Sequence, residues 1–130
     1  MARLKSVSDK KLLTEVELEL MSILWKLGEG TVADVIDNLA DDRKLAYTSV
    51  STILRILEQK GVLDTRKEGR GHIYCPKLSR SDYENTSVNH LVEKVFEGES
   101  LPLVRQLLNN KGLSADELKE IRRMIDTQLK

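Results

Sequence analysis

The chain has 130 residues, of which 32% are charged, 40% apolar and only 4% aromatic, and its formal net charge is zero. That length suits one domain, or a domain with a short appendage, and the composition excludes both a disordered chain and an aromatic platform for single-stranded nucleic acid. A single cysteine, Cys75, excludes an internal disulfide framework; no apolar run approaches the roughly 18 residues of a bilayer span, and the basic N-terminus lacks a signal-peptide core, so a reducing cytoplasm without membrane insertion is the expected setting.

The residues before Leu12 read as a mobile basic arm. The first helix opens at Leu13-Thr14-Glu15-Val16-Glu17-Leu18. Thr14 and Glu17 form a capping box there, and Leu13 and Leu18 form a hydrophobic staple. Val16, Leu20, Met21, Ile23, Leu24, Trp25 and Leu27 give it a wide apolar face, with Trp25 read as core, and Gly28 and Gly30 end it. A short second helix starts at Thr31, with Asp34 at the third helical position and Val32, Val35, Ile36 and Leu39 on one stripe.

The third helix runs from about Thr48 to Lys60. Val50, Ile53, Leu54 and Leu57 repeat the stripe and Gly61 stops it. Its other face carries Thr48, Ser49, Ser51, Thr52, Arg55 and Gln59, without the Glu/Lys mixture of an ordinary solvated face. Val62 to Lys67 and His72 to Pro76 flank Glu68-Gly69-Arg70-Gly71 as a β-hairpin, with Arg66, Lys67 and Arg70 at its tip.

The remainder is helical. Leu78-Ser79-x-x-Asp82-Tyr83 signals one start, followed by the stripe Val88, Leu91, Val92, Val95 and Phe96 up to Gly98. Ser100 caps the next helix, with Pro102 in its first turn and Leu103, Val104, Leu107 and Leu108 before Gly112. Ser114 and Glu117 cap the last, which carries Leu118, Ile121, Met124, Ile125 and Leu129. Too few residues follow Ser81 to bury three amphipathic helices on their own, so these stripes are read as a dimerisation surface.

Charge is distributed unevenly. Met1 to Asp42 holds 5 Lys/Arg against 9 Asp/Glu, Arg43 to Arg80 holds 9 against 3, and Ser81 to Lys130 holds 7 against 9. A basic middle between acidic flanks is a local footprint for a phosphate backbone, though a solvated loop region would look similar on charge alone. Three helices followed by a basic hairpin is the order of a winged helix-turn-helix. The expected fold is therefore mainly α with a small β-hairpin wing, a DNA-binding domain over 1–81 and helical dimerisation over 82–130. DNA contact is expected from Ala46, Tyr47, Thr48, Ser49, Ser51, Thr52, Arg55, Arg66, Lys67, Arg70 and His72. Short hydroxyl side chains let a recognition helix approach base edges, and Arg55 suits guanine O6 and N7.

Other chemistry has little support. His72 and Cys75 are three apart on a strand and diverge, no further ligands accompany them, and neither a metal nor a cofactor is implied. His90 reads as an exposed helix residue. With two histidines, one cysteine, and no P-loop, G-x-S-x-G or H-E-x-x-H, an enzyme is not expected. The competing reading is a winged helix that binds protein instead of DNA.

On Leu13 to Glu17 with Leu24-Trp25, on Thr31 to Val35, and above all on Ala46 to Gly61, the chain resembles the penicillinase-repressor family of bacterial winged-helix regulators, the BlaI/MecI/CopY group. The resemblance implies a homodimeric repressor on dyad-symmetric operators, controlling β-lactam-resistance or envelope and stress genes. It also implies a membrane sensor-protease that signals repressor cleavage in one branch. The paired cysteines near the C-terminus of copper-responsive relatives are absent. The Asn-Phe bond cut in the β-lactam branch finds its nearest match at Gln106-Leu107, and Ile56 stands where relatives often place Arg.

Overall fold

A computed structural model describes residues 12–110 and 112–130; the basic arm expected before Leu12 lies outside them. Helix α1 spans Glu15–Leu27, α2 Val32–Asp37 and α3 Tyr47–Gln59. The strands are β1 (Leu63–Glu68) and β2 (Gly71–Pro76), and α4 (Arg80–Lys94), α5 (Ser100–Asn109) and α6 (Ala115–Leu129) complete the chain.

The start signals work as hydrogen bonds. Thr14, Thr31 and Ser114 each accept from the backbone N–H three residues on, and Glu17, Asp34 and Glu117 each accept from the cap's own N–H. Two expected starts differ. At Ser79 the hydroxyl accepts from Asp82 N–H at 3.0 Å, which is half of the reciprocal arrangement. Ser100 is the first residue of α5 and not its cap, which is Glu99 and makes no side-chain bond. Helix α5 also ends earlier than expected, with Asn110 as its C-cap ahead of Gly112.

Two compact units divide the chain inside α4, at residues 1–90 and 91–130. The core of the first unit is Leu20, Met21 and Leu24 from α1, Val32 and Val35 from α2, and Val50, Leu54 and Leu57 from α3. Val62, Leu63 and Tyr74 close it from the hairpin side. At roughly 1.5–3 kcal/mol per fully buried aliphatic side chain, this cluster dominates the stability of the three-helix arrangement. Strands β1 and β2 are antiparallel, with Leu63 opposite Pro76 and Glu68 opposite Gly71, leaving Gly69-Arg70 as the turn. Gly69 has φ +62° and Arg70 does not share the positive φ, the pattern of a II′ hairpin turn. Gly30, between α1 and α2, exchanges both backbone hydrogen bonds with Tyr74 at 3.0 and 2.8 Å, adding a one-residue third strand beside β2.

Trp25 is half-buried and packs against the edge of the core. Its indole Nε1–H donates to Leu78 O at 2.8 Å, its ring lies 5.9 Å from that of Tyr83, and the Arg80 guanidinium sits 5.4 Å above it. Leu13 N–H donates to the Tyr83 hydroxyl at 2.9 Å, so the first turn of α4 is fastened to both ends of α1.

In the second unit, α5 and α6 contain no fully buried residue. No helix among the described residues is long and apolar enough to cross a membrane.

Candidate nucleic-acid interface

Burial of Val50, Leu54 and Leu57 fixes the rotation of α3. Thr48, Thr52, Arg55 and Gln59, spaced i, i+4, i+7 and i+11, then share the opposite face, and all four are exposed. Ser49 is exposed beside this row, as are Ala46 and Tyr47 at the helix start; Ser51 is half-buried on the flank. The helix begins one residue earlier than expected, at Tyr47, and its N-cap Ala46 provides no side-chain hydrogen bond. Gln59 belongs to the exposed row by spacing alone, although it was not among the expected contacts.

The hairpin separates residues that the sequence groups together. Opposite residues of an antiparallel pair share a face, so Lys67, His72, Thr65 and Tyr74 lie on one side, and Arg66 and Ile73 on the other. Tyr74 is buried in the same cluster as Val50, Leu54 and Leu57, which puts the base of the wing beside α3; burial pushes its phenol pKa up, the Glu58 carboxylate adds to this and the Arg55 guanidinium opposes it. Lys67, Arg70 and His72 are exposed towards the tip.

Arg66 is engaged differently. Its Nη1 and Nη2 donate to the two carboxylate oxygens of Glu29, each at 2.8 Å, and Glu68 lies at 3.9 Å. The Arg66 hydrogen bonds hold the Glu29 carboxyl below its usual range, and Glu29 in turn raises the guanidinium pKa. Two other cations of the basic segment are likewise satisfied by α1. Arg43 Nε donates to both Glu19 oxygens at 3.0 and 3.1 Å, and Lys60 Nζ donates to Glu17 at 2.8 Å. Arg55, Lys67 and Arg70 make no ion pair among the described residues. Lys44 and Lys77 are also exposed without an ion pair, and Arg80 lies over the Trp25 ring, so α3 and the distal wing hold three of the six cations of the basic segment that have no acidic partner among the described residues. Nothing local in the sequence marks the three acidic partners, because each lies between 24 and 43 residues from its cation.

Among the expected dimerisation residues, Val88, Leu91, Val95, Val104, Leu107, Leu108, Leu118, Met124, Ile125 and Leu129 are exposed, and Val92, Phe96, Leu103 and Ile121 are half-buried. The bond between Gln106 and Leu107 lies inside α5, where a protease would first have to unwind regular helix to seat it. No group of three His, Cys, Asp or Glu among the described residues could hold a metal ion.

Comparison with known proteins bears on this geometry. The family model described as Penicillinase repressor matches residues 13–127. The chain is 28% identical over 114 residues to the penicillinase repressor of Bacillus licheniformis, covering 88% of this chain and 89% of that protein. It is 23% identical over 114 residues to the methicillin resistance regulatory protein MecI of Staphylococcus aureus strain N315, covering 88% and 93%. Among solved structures, oxidised MarR from E. coli superposes with a TM-score of 0.51 at 16% identity, over 98% of this chain and 83% of that one. That likeness concerns the winged-helix fold alone.

Proposed function

Because the chain belongs to the penicillinase repressor family, whose members are transcriptional repressors and not enzymes, we propose that it represses transcription as a homodimer on dyad-symmetric operator DNA. In this reading α3 enters the major groove and the hairpin wing lies along the phosphate backbone. The supporting observation is the coincidence of two independent features. The exposed face of α3 carries Thr48, Thr52, Arg55 and Gln59, and Arg55, Lys67 and Arg70, which have no acidic partner among the described residues, stand exposed on that helix and the wing. Thr48, Ser49 and Thr52 meet base edges or phosphates, Arg55 reads a guanine, and Lys67, Arg70 and His72 meet phosphates.

The second copy of the chain supplies cover for the apolar stripes of α4, α5 and α6, which a single chain leaves exposed. A two-fold arrangement also presents two recognition helices to the two halves of a palindrome.

The test is binding to duplexes selected from random sequence, measured across salt concentrations. A log-log slope of several units and a palindromic consensus are expected. Binding that barely responds to salt, with no consensus emerging, would refute DNA recognition and leave the wing as a protein-docking module.

A further inference from the structure

We infer that Glu29 and Arg66 form a brace that fixes the wing for DNA binding, so that Arg66 is a positioning residue and not a phosphate contact. The inference rests on the DNA-binding reading above and adds a division of labour among the wing cations.

Three observations carry it. First, the pleat puts Arg66 on the sheet face opposite to Lys67 and His72, the face shared with Ile73. A single strand laid along a phosphate backbone cannot present both neighbours to it equally. Second, Arg66 is the wing cation whose fork is occupied, with two parallel bonds of 2.8 Å to Glu29. Bidentate pairing uses the geometry that would otherwise clasp a phosphate. Third, Glu29 is not on a free surface loop. It is the residue before Gly30, whose N–H and C=O are bonded to Tyr74 on β2.

The α1–α2 connection therefore holds the hairpin twice. Gly30 grips the backbone of β2, and Glu29 reaches the side chain of Arg66 on β1 beyond it. A two-stranded hairpin alone is marginally stable in water, so its orientation needs such outside attachments. Tyr74, the residue gripped, is also the one buried beside α3. Fixing that register fixes where Lys67 and Arg70 stand relative to the α3 face.

Four chains test this: the parent, Glu29→Gln, Arg66→Gln, and the swap Glu29→Arg/Arg66→Glu. The probes are a duplex selected by the parent and amide hydrogen exchange without DNA. Each single substitution should weaken binding about two- to fivefold, the range of a well-formed surface pair, with salt dependence parallel to that of the parent. Each should also speed exchange of the Tyr74 amide, and the swap should restore both properties.

If Arg66→Gln instead flattens the salt slope by about one unit while Glu29→Gln tightens binding, Arg66 is a phosphate ligand and the inference is wrong. Tyr74 exchange that is the same in all four chains overturns it equally. If the parent selects no duplex, the DNA reading fails by itself, and the exchange measurement still decides whether the brace exists.

Discussion

Glu17 caps its own helix and, through its other carboxylate oxygen, holds Lys60 at the end of α3. Burial alone would raise its pKa; the Lys60 ion pair and the Thr14 hydrogen bonds outweigh burial and lower it. A folded pKa below the unfolded one means that the ionised form stabilises the fold. The contribution is complete above the ordinary carboxylate range and is lost as pH falls through the lowered value. Glu17→Gln should therefore cost about 1–2 kcal/mol in urea unfolding at pH 7, a figure reduced because Lys60 is partly exposed, and the cost should shrink in acid. An equal cost at both pH values would remove the charge from the explanation. On the exposed side of the same helix pair, Arg55→Ala should lose about 1–3 kcal/mol of duplex affinity and relax preference at one base position, measured by repeating the selection with the variant.

At the scale of elements, α3 differs from its neighbours in lacking a side-chain cap. Thr14, Thr31 and Ser114 occupy the N-terminal amides of α1, α2 and α6, whereas Ala46 leaves those of α3 without one. Ala46→Asp should thus have opposed effects: about 1 kcal/mol of added stability in thermal unfolding, and weaker duplex binding because a carboxylate meets phosphate. Gly69→Ala isolates the wing turn. A Cβ there meets nothing within 4 Å, so the cost of about 1 kcal/mol comes from φ +62° alone. Capping boxes, apolar stripes and the hairpin were legible in the sequence because their partners lie within a few residues. The pairs of Glu17, Glu19 and Glu29 were not, since packing alone brings them to Lys60, Arg43 and Arg66. Ser100 misled for a local reason: a serine followed by proline two residues on imitates a cap, while the chain had already turned helical at Ser100. Arg66 and Lys67 are neighbours in the sequence, yet the period of two that a strand imposes puts them on opposite faces of the hairpin.

Across the whole molecule, the acidic first segment selects which cations of the basic middle remain available. Arg43, Lys60 and Arg66 are paired to it, and the formal excess of that middle segment overstates the charge open to a ligand. The second unit shows the corresponding economy in apolar surface. With Leu107 at 52%, Met124 at 58% and Leu129 at 78% exposure, a single chain gains little from folding these helices. Full-length Leu118→Glu/Ile125→Glu should be monomeric in analytical ultracentrifugation and should bind the selected palindrome more weakly, through loss of effective concentration, while retaining affinity for one half-site. A variant that stays dimeric would place the interface elsewhere. A chain ending at His90 keeps Tyr83 against Trp25 and should behave like the double variant.

The fastening of Trp25 between Leu78, Tyr83 and Arg80 also turns the chain into its own optical probe. Trp25 and all three tyrosines precede Leu91, whereas Phe96 follows it, so tryptophan emission reports the first unit alone and the far-ultraviolet helical signal comes from both units. Dilution should then separate the two signals. If residues 91–130 are held in their helices by a second chain, the far-ultraviolet melting curve shifts to lower temperature as the protein is diluted, and the tryptophan curve stays where it was.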